Sequence, residues 1–384
     1  MNKIYLIGKI GKSVKFNENS WGSIGGDCEA PILFKKIAEL NPYDKFIIIG
    51  KNDLDRNKSK VPNNLISAWT GYDKDKDDYT YLVKKLSGVK IDGCFLMSGP
   101  TANCNIPNRS FKRNELKKGI KEFANSLYVF QNYVAPIYHY LNETNISWIM
   151  IANDPRYVSQ GNDLMNHPKL ILSQYNEDVL MQQFDNWNDQ NYVKRKIKSI
   201  YAGMEKIFLI NFNKLKLTYF NKAIKILIVL NEGNNGVKSR YDELKKYVLD
   251  YINDVNIYGN WREEILLNDN RFKGSINYHD LQKMLDKVKY SFIISIKEGW
   301  ATMKIWELIS HGVIPFLHPN YDSQFNINIP EFLRVKSPEE LHKKIEYLEN
   351  NPEAYKLIFE VCQDLITEDD INGKNLNKII LNNL

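Results

Sequence analysis

Short apolar runs bounded by turn residues alternate with stretches of helical periodicity along the chain. KIYLIG (residues 3–8) reads as a first buried strand, and EAPILFKKIAEL (29–40) carries apolar residues at helical spacing. KFIIIG (45–50), IDGCFLMSG (91–99) and SWIMIAND (147–154) read as further strands, with a long amphipathic helical stretch over 115–141. The charged segments DRNKSK (55–60) and YDKDKDDY (72–79) read as loops.

A second series begins at AIKILIVLNEG (223–233), a strand running into a glycine-containing loop. The helix SRYDELKKYVLDYI (239–252), the strand VNIYGN (255–260), the segment FKGSI, the helix HDLQKMLDKV (279–288) and the strand YSFIISI (290–296) follow. Helices close the chain from about residue 337. Strands alternating with helices predict parallel sheets with helical crossovers. The expected fold is α/β, two Rossmann-like domains facing a central cleft. The expected boundaries are 1–205, a linker over 206–222, and 223–360, with 361–384 as a C-terminal helix crossing back to the first domain.

Composition changes this picture little. At 384 residues the chain can build two cores, and 43% hydrophobic with 26% charged residues is the usage of a folded globular protein. A net charge of +6 suits a polyanionic partner and equally a solvated surface. The four cysteines, Cys28, Cys94, Cys104 and Cys362, show no CxxC pair and no zinc spacing, so reduced thiols are expected. Without an apolar run of membrane-spanning or signal-peptide length, the chain is expected to be cytoplasmic and free of the membrane.

Ligands of open α/β sheets bind beyond the carboxyl ends of the strands, and that rule selects four segments. NSWGSIGGDCEAP (19–31) places three glycines before the first helix, but it is neither GxGxxG nor a phosphate-binding P-loop; Glu29 there also suits the helix dipole. Asp154, at the end of an apolar strand and followed by Pro155, is placed for a general base, and Asp-Pro is also a common turn opener. NEGNNGVKSR (231–240) brings Gly233, Gly236, Lys238 and Arg240 to a helix start, as a phosphate cradle or as an exposed basic helix start. In IKEGWATMKIWELISHGVIPFL (296–317), Lys304 and Glu307 share a helix face among apolar neighbours. An exposed ion pair is one reading. A buried carboxylate that accepts ribose hydroxyls, beside a lysine that meets a diphosphate, is the other.

These residues together resemble the nucleotide-sugar glycosyltransferases of the GT-B type, although Glu298 and Glu307 have eight residues between them where that class usually has seven. The closer resemblance is to the DNA β-glucosyltransferase family of T-even bacteriophages. TMKIWELISHGVIPFL looks like its threonine–leucine–arginine–valine–tryptophan–glutamate helix and following strand. VNIYGNWREE is similar to its phenylalanine–glycine–asparagine–alanine–arginine–glutamate segment, and FKGSI to its phenylalanine–threonine–glycine–lysine–isoleucine segment. CEAPILFKKIAEL and WIMIANDPR look like its first helix and the strand carrying its catalytic aspartate.

The resemblance implies glucosyl transfer from UDP-glucose, with inversion, to the hydroxymethyl group of a 5-hydroxymethylpyrimidine in duplex DNA, the target base being flipped out. It implies that Asp154 is the base, that Glu29 lies beside sugar and acceptor, that Glu307 binds the ribose, that Arg240 binds the diphosphate and that Ile276 sits at the uracil. The family has arginine where Lys304 stands and a phosphate-binding arginine where Gly236 stands, with Lys238 a neighbouring replacement. It is helped by divalent cations, Mg2+ or Mn2+, yet no carboxylate cluster in this sequence specifies a metal site. RSFKRNELKK (109–118) and VKRKIK (193–198) are candidates for DNA phosphate contacts or solvated helix faces. A monomer is expected. Two alternatives stay open: a GT-B enzyme using a saccharide or cell-envelope acceptor or another nucleotide sugar, and a non-catalytic DNA-binding relative.

Overall fold

The computed structural model describes residues 2–10, 13–21, 28–50, 52–68, 85–98, 141, 144–152, 169–173, 197–199, 206, 222–232, 240–295, 298–323 and 327–384. The chain divides into two compact units, one of Met1–Trp21, Gly25–Met204 and Asn372–Leu384, the other of Gly22–Ile24 and Glu205–Ile371.

In the first unit, β1 (Ile4–Ile10) is followed by α1 (Glu29–Leu40), β2 (Lys45–Ile49), β3 (Leu65–Ser67), β4 (Gly93–Ser98), β5 (Trp148–Ala152), β6 (Leu170–Ser173) and β7 (Ile197–Ser199). They form one seven-stranded sheet in the order β3-β2-β1-β4-β5-β6-β7, and every described pairing is parallel. Such strands are covered on both faces, which is why β1, β2, β4 and β5 read as continuous apolar runs: Leu6, Ile7, Ile48, Phe95 and Ile149 are wholly buried. Asn64 closes the C-terminus of α1, its Nδ2 donating to the carbonyls of Ala38, Asn41 and Asp44 at 2.9 Å each. The chain order reverses beside β1, since β2 and β3 lie on one side of it and β4 on the other. Glu29, the first residue of the helix that follows β1, belongs to that reversal.

The second unit contains β8 (Ile224–Val229), α2 (Tyr241–Leu244), β9 (Asn256–Tyr258), α3 (Glu264–Leu267), α4 (Tyr278–Leu285), β10 (Val288–Ile293), α5 (Lys304–Ser310), β11 (Ile314–Leu317), α6 (Pro338–Asn350) and α7 (Pro352–Asp364). After α8 (Glu368–Asn372) the last helix, α9 (Lys374–Asn382), belongs to the first unit, where Asn41 Nδ2 donates to Asn377 Oδ1 at 2.7 Å. The second sheet is again parallel, in the order β11-β10-β8-β9. Tyr290 of β10, Trp306 of α5 and Phe316 of β11 are among the largest fully buried side chains. The loop after β11 is locked by a buried ion pair, Arg334 Nη2 donating to Asp322 Oδ2 at 2.7 Å.

Several local expectations differ from what folds. Residues 54–60 are a 3-10 turn rather than a loop, because Asp53 ties it down: its carboxylate accepts Phe16 N–H at 2.5 Å and its carbonyl accepts Asn57 Nδ2 at 2.9 Å. Helix α2 widens into a π turn over Lys245–Leu249, which places both Tyr247 and Val248 in the core. Val288, expected at a helix end, opens β10 because it pairs with Ile224. The short strands β3, β6 and β7 were not expected, and β7 claims Ile197 and Lys198 from the segment read as a possible helix face. The helical stretch over 115–141 lies, except for Leu141, outside the described residues, as does residues 72–79.

Gly259, just past β9, has φ +145°, and a Cβ there would stand 1.7 Å from the carbonyl oxygen of Leu230 at the end of β8. Gly274 also has a positive φ, +85°, but a Cβ there would meet nothing within 4 Å. Gly259→Ala is expected to destabilise the protein by about 3 kcal/mol or more, through backbone strain and a clash with backbone. Gly274→Ala is expected to cost about 1 kcal/mol, from the left-handed conformation alone. Urea unfolding of the two variants beside wild type reads the difference.

Candidate functional site

In the second unit the chain moves outward from β8 to β9, then returns past β8 to place β10 on its other side. Loops leaving the carboxyl ends of β8 and β10 therefore diverge and leave a crevice between them, the usual position of a ligand in an open parallel sheet. A small void of about 10 Å3 lies at its floor, lined by Val229, Leu230, Ser291, Ile293, Lys304 and Leu308 among others.

Side chains hold both lips of the crevice. Beyond β8, Asn231 Oδ1 accepts the N–H of Asn260 at 2.8 Å and Glu232 Oε2 accepts that of Arg262 at 2.5 Å, joining the ends of β8 and β9. The N–H of Arg240 donates to the carbonyl of Glu232 at 3.3 Å, so Arg240 opens α2 directly beside the end of β8. Beyond β10, the amide of Asn320 grips Ser295 on both sides, accepting its N–H at 3.1 Å and donating to its carbonyl at 3.0 Å. Tyr321 Oη accepts the N–H of Thr302 at 2.9 Å and donates to its carbonyl at 2.8 Å. The approach to α5 is thereby fixed, and Lys304 arrives as its first residue.

Lys304 and Glu307 meet, Nζ against Oε2. Glu307 is only 4% exposed, so this is not the solvent-exposed pair that the spacing alone allowed. A carboxylate at that depth requires compensation, and a second donor supplies it: Gln282 of α4 donates from Nε2 to Glu307 Oε1 at 2.7 Å. Gln282 Oε1 in turn faces His311 Nε2 at 2.7 Å, and His311 Nδ1 faces Asp286 Oδ1 at 2.7 Å. The His311 hydrogen bond holds the Asp286 carboxyl below its ordinary value, with added help from the positive charge of Lys222. Lys222 Nζ donates to the carbonyl of His311 at 2.8 Å, and burial pushes its pKa down to about 8.

The structure thus places Lys304 and Glu307 together and puts Arg240 at the opposite lip of the same crevice. Ile276 is half-buried, one residue before the Asn277 cap of α4, in the segment whose Gly274 carbonyl accepts the N–H of Gly259 at 2.9 Å. Glu29 lies in the first unit, and Asp154, Gly233, Gly236 and Lys238 lie outside the described residues. Sequence reasoning missed Gln282, His311 and Asp286. A faint signal existed: Gln282 and Asp286 are one helical turn apart, as are Glu307 and His311, so each helix presents a two-rung polar ladder.

No family model and no curated protein matches the chain. Solved structures do. T4 phage β-glucosyltransferase in complex with its UDP-glucose substrate aligns over 99% of each chain at 14% identity, with a TM-score of 0.62. The same phage enzyme with UDP and Mn2+ aligns over 99% of each chain at 13% identity, with a TM-score of 0.61. Anabaena HepE in complex with UDP-glucose aligns over 98% of each chain at 9% identity, with a TM-score of 0.55. The chain has the GT-B fold. At these identities the likeness speaks of architecture, and the crevice between β8 and β10 is the feature of that architecture that the present side chains elaborate.

The depressed Lys222 has a stability consequence. Its ordinary value is 10.5 and its folded value is about 8, so between those pH values the unfolded chain binds the extra proton and stability rises with pH. Below pH 8 the cost of the buried charge is fully present. Lys222→Met removes this term, so wild type is expected to gain on the variant by up to about 3 kcal/mol between pH 8 and 10.5. Urea unfolding of both at pH 7.5, 9 and 10.5 measures the gain, and parallel curves would contradict it.

Proposed function

We propose that the protein is an inverting hexosyltransferase that moves glucose from UDP-glucose to the hydroxymethyl group of a 5-hydroxymethylpyrimidine in duplex DNA. The observation that carries the donor half is the buried Glu307 carboxylate paired with Lys304 at the crevice of a GT-B fold. A carboxylate there accepts two vicinal hydroxyls, as on a ribose, and a lysine beside it neutralises phosphate. The phage structures supply the substrate class, being complexes of that enzyme with UDP-glucose and with UDP and Mn2+.

In this reading Glu307 binds the ribose of UDP, and backbone groups at Ile276 read the uracil. Lys304, Arg240 and Lys238, with the backbone N–H groups of Gly233 to Gly236, meet the charge that develops on the diphosphate as the glycosidic bond breaks. Asp154 takes the proton of the acceptor hydroxyl while its oxygen attacks the anomeric carbon, and Glu29 lies beside sugar and acceptor. The transition state has oxocarbenium character. A base inside a duplex is out of reach of such a site, so the target nucleotide is flipped out of the stack. Among the described residues no group of three His, Cys, Asp or Glu stands together to hold Mg2+ or Mn2+, and no step here is assigned to a metal.

A second reading keeps the donor and changes the acceptor. The fold likeness extends to Anabaena HepE, also solved with UDP-glucose, and is equally compatible with a GT-B transferase acting on a saccharide or cell-envelope acceptor. Mass spectrometry of nucleosides from 5-hydroxymethylpyrimidine DNA, incubated with the protein and UDP-glucose, separates the two. Wild type is expected to add a hexose, and Asp154→Asn to lower the rate by about 100-fold or more. UDP-glucose bound or slowly hydrolysed with no hexose on DNA would sink the DNA acceptor and leave the donor site standing.

A further inference from the structure

We infer that Gln282 is a positioning residue, which together with His311 and Asp286 aims the Glu307 carboxylate at the ribose of the donor; the inference rests on the donor site proposed above. The four side chains form a zigzag between α4 and α5: Glu307 to Gln282, Gln282 to His311, His311 to Asp286, each step 2.7 Å. Chemistry sets the direction of every bond. Glu307 is a carboxylate paired with a lysine, so the group facing its Oε1 must donate, which makes that group the amide NH2 of Gln282. The amide oxygen is then left for His311 Nε2, which must donate to it, while Nδ1–H donates to the carboxylate of Asp286. Two carboxylates, Glu307 and Asp286, lie at the two ends of the zigzag. Lys222, donating to the His311 carbonyl, is the other charged group against this turn. Rotating the amide by half a turn would set its oxygen against the Glu307 carboxylate, acceptor against acceptor, so the orientation is enforced.

The consequence lies in how the carboxylate is divided. With Gln282 on Oε1, Glu307 turns only Oε2 to Lys304. A carboxylate has about four acceptor positions, so about two remain for ribose hydroxyls. Without Gln282, Glu307 is free to swing and close both oxygens on Lys304, taking that lysine from the diphosphate and the lone pairs from the ribose. Placement on α4 adds a link. The helix begins two residues after Ile276, so the segment proposed to read the base carries, one turn further on, the side chain that orients the ribose-binding carboxylate.

The test compares UDP with 2′-deoxy-UDP, binding measured by calorimetry on the full chain. Wild type is expected to prefer UDP by about 10-fold or more, the value of a hydrogen bond to a charged group. Gln282→Leu is expected to reduce that preference to about 3-fold or less in the folded variant, with a lowered melting temperature because the buried carboxylate loses a partner. His311→Phe, which leaves Gln282 but removes its anchor, is expected to reproduce much of the loss and stands in should Gln282→Leu fail to fold. A preference unchanged in the folded variants, whatever the loss of overall affinity, would overturn the positioning role and leave the donor site intact. Wild type that binds neither nucleotide would overturn the donor site and this inference with it.

Discussion

A sheet of parallel strands buries its faces under helices and leaves its strand ends as the place where polar chemistry can reach solvent. The reversal of strand order between β8 and β10 is the constraint from which the rest of the second unit follows. It separates two loops, opens the crevice, and brings the start of α5 and the start of α2 to opposite lips of it. The polar side chains that stitch these loops, Asn231, Glu232, Asn320 and Tyr321, hydrogen-bond to backbone groups, with Asn320 also facing the His318 ring. They are parts of the scaffold, and they determine where Lys304 and Arg240 begin their helices.

Burial of Glu307 is the second constraint, and it follows from the first. Helix α5 lies against β10 and β11, and six of its seven residues are buried. One of them is a carboxylate. Removing a partner from a buried charge typically costs about 3–5 kcal/mol, so the positions facing Glu307 are held to groups that donate. Lys304 and Gln282 meet that requirement from two helices, and the demand passes on through Gln282 to His311 and Asp286. Docking of α4 on α5 is thus tied to one polar line as well as to the apolar contact of Leu281 and Leu285, both fully buried.

The same interplay explains which elements could be read along the chain. Strands β1, β2, β4, β8 and β10 are central to their sheets and carry apolar runs that need no partner to be recognised, and α1 shows its period from Glu29 to Leu40. Strands β3 and β7 are three-residue edges, and β6 has four residues; their propensity is too weak to stand out, and they exist because a neighbouring strand offers hydrogen bonds. The π turn in LKKYVL likewise answers to the core, since Tyr247 stacks on Phe292 at 5.2 Å.

By itself the sequence determined the α/β class, the approximate places of the long elements, and the polar residues that follow the strands, because these depend on neighbours within one or two helical turns. Lys304 and Glu307 were legible for that reason, three residues apart on one face. Only the tertiary structure decided that Glu307 is buried, that β8 and β10 flank a crevice, and that Gln282 and His311 belong to the same polar line. Those bonds join residues 25 and 29 positions apart, and no local pattern encodes a contact that exists only once two helices have docked on one sheet.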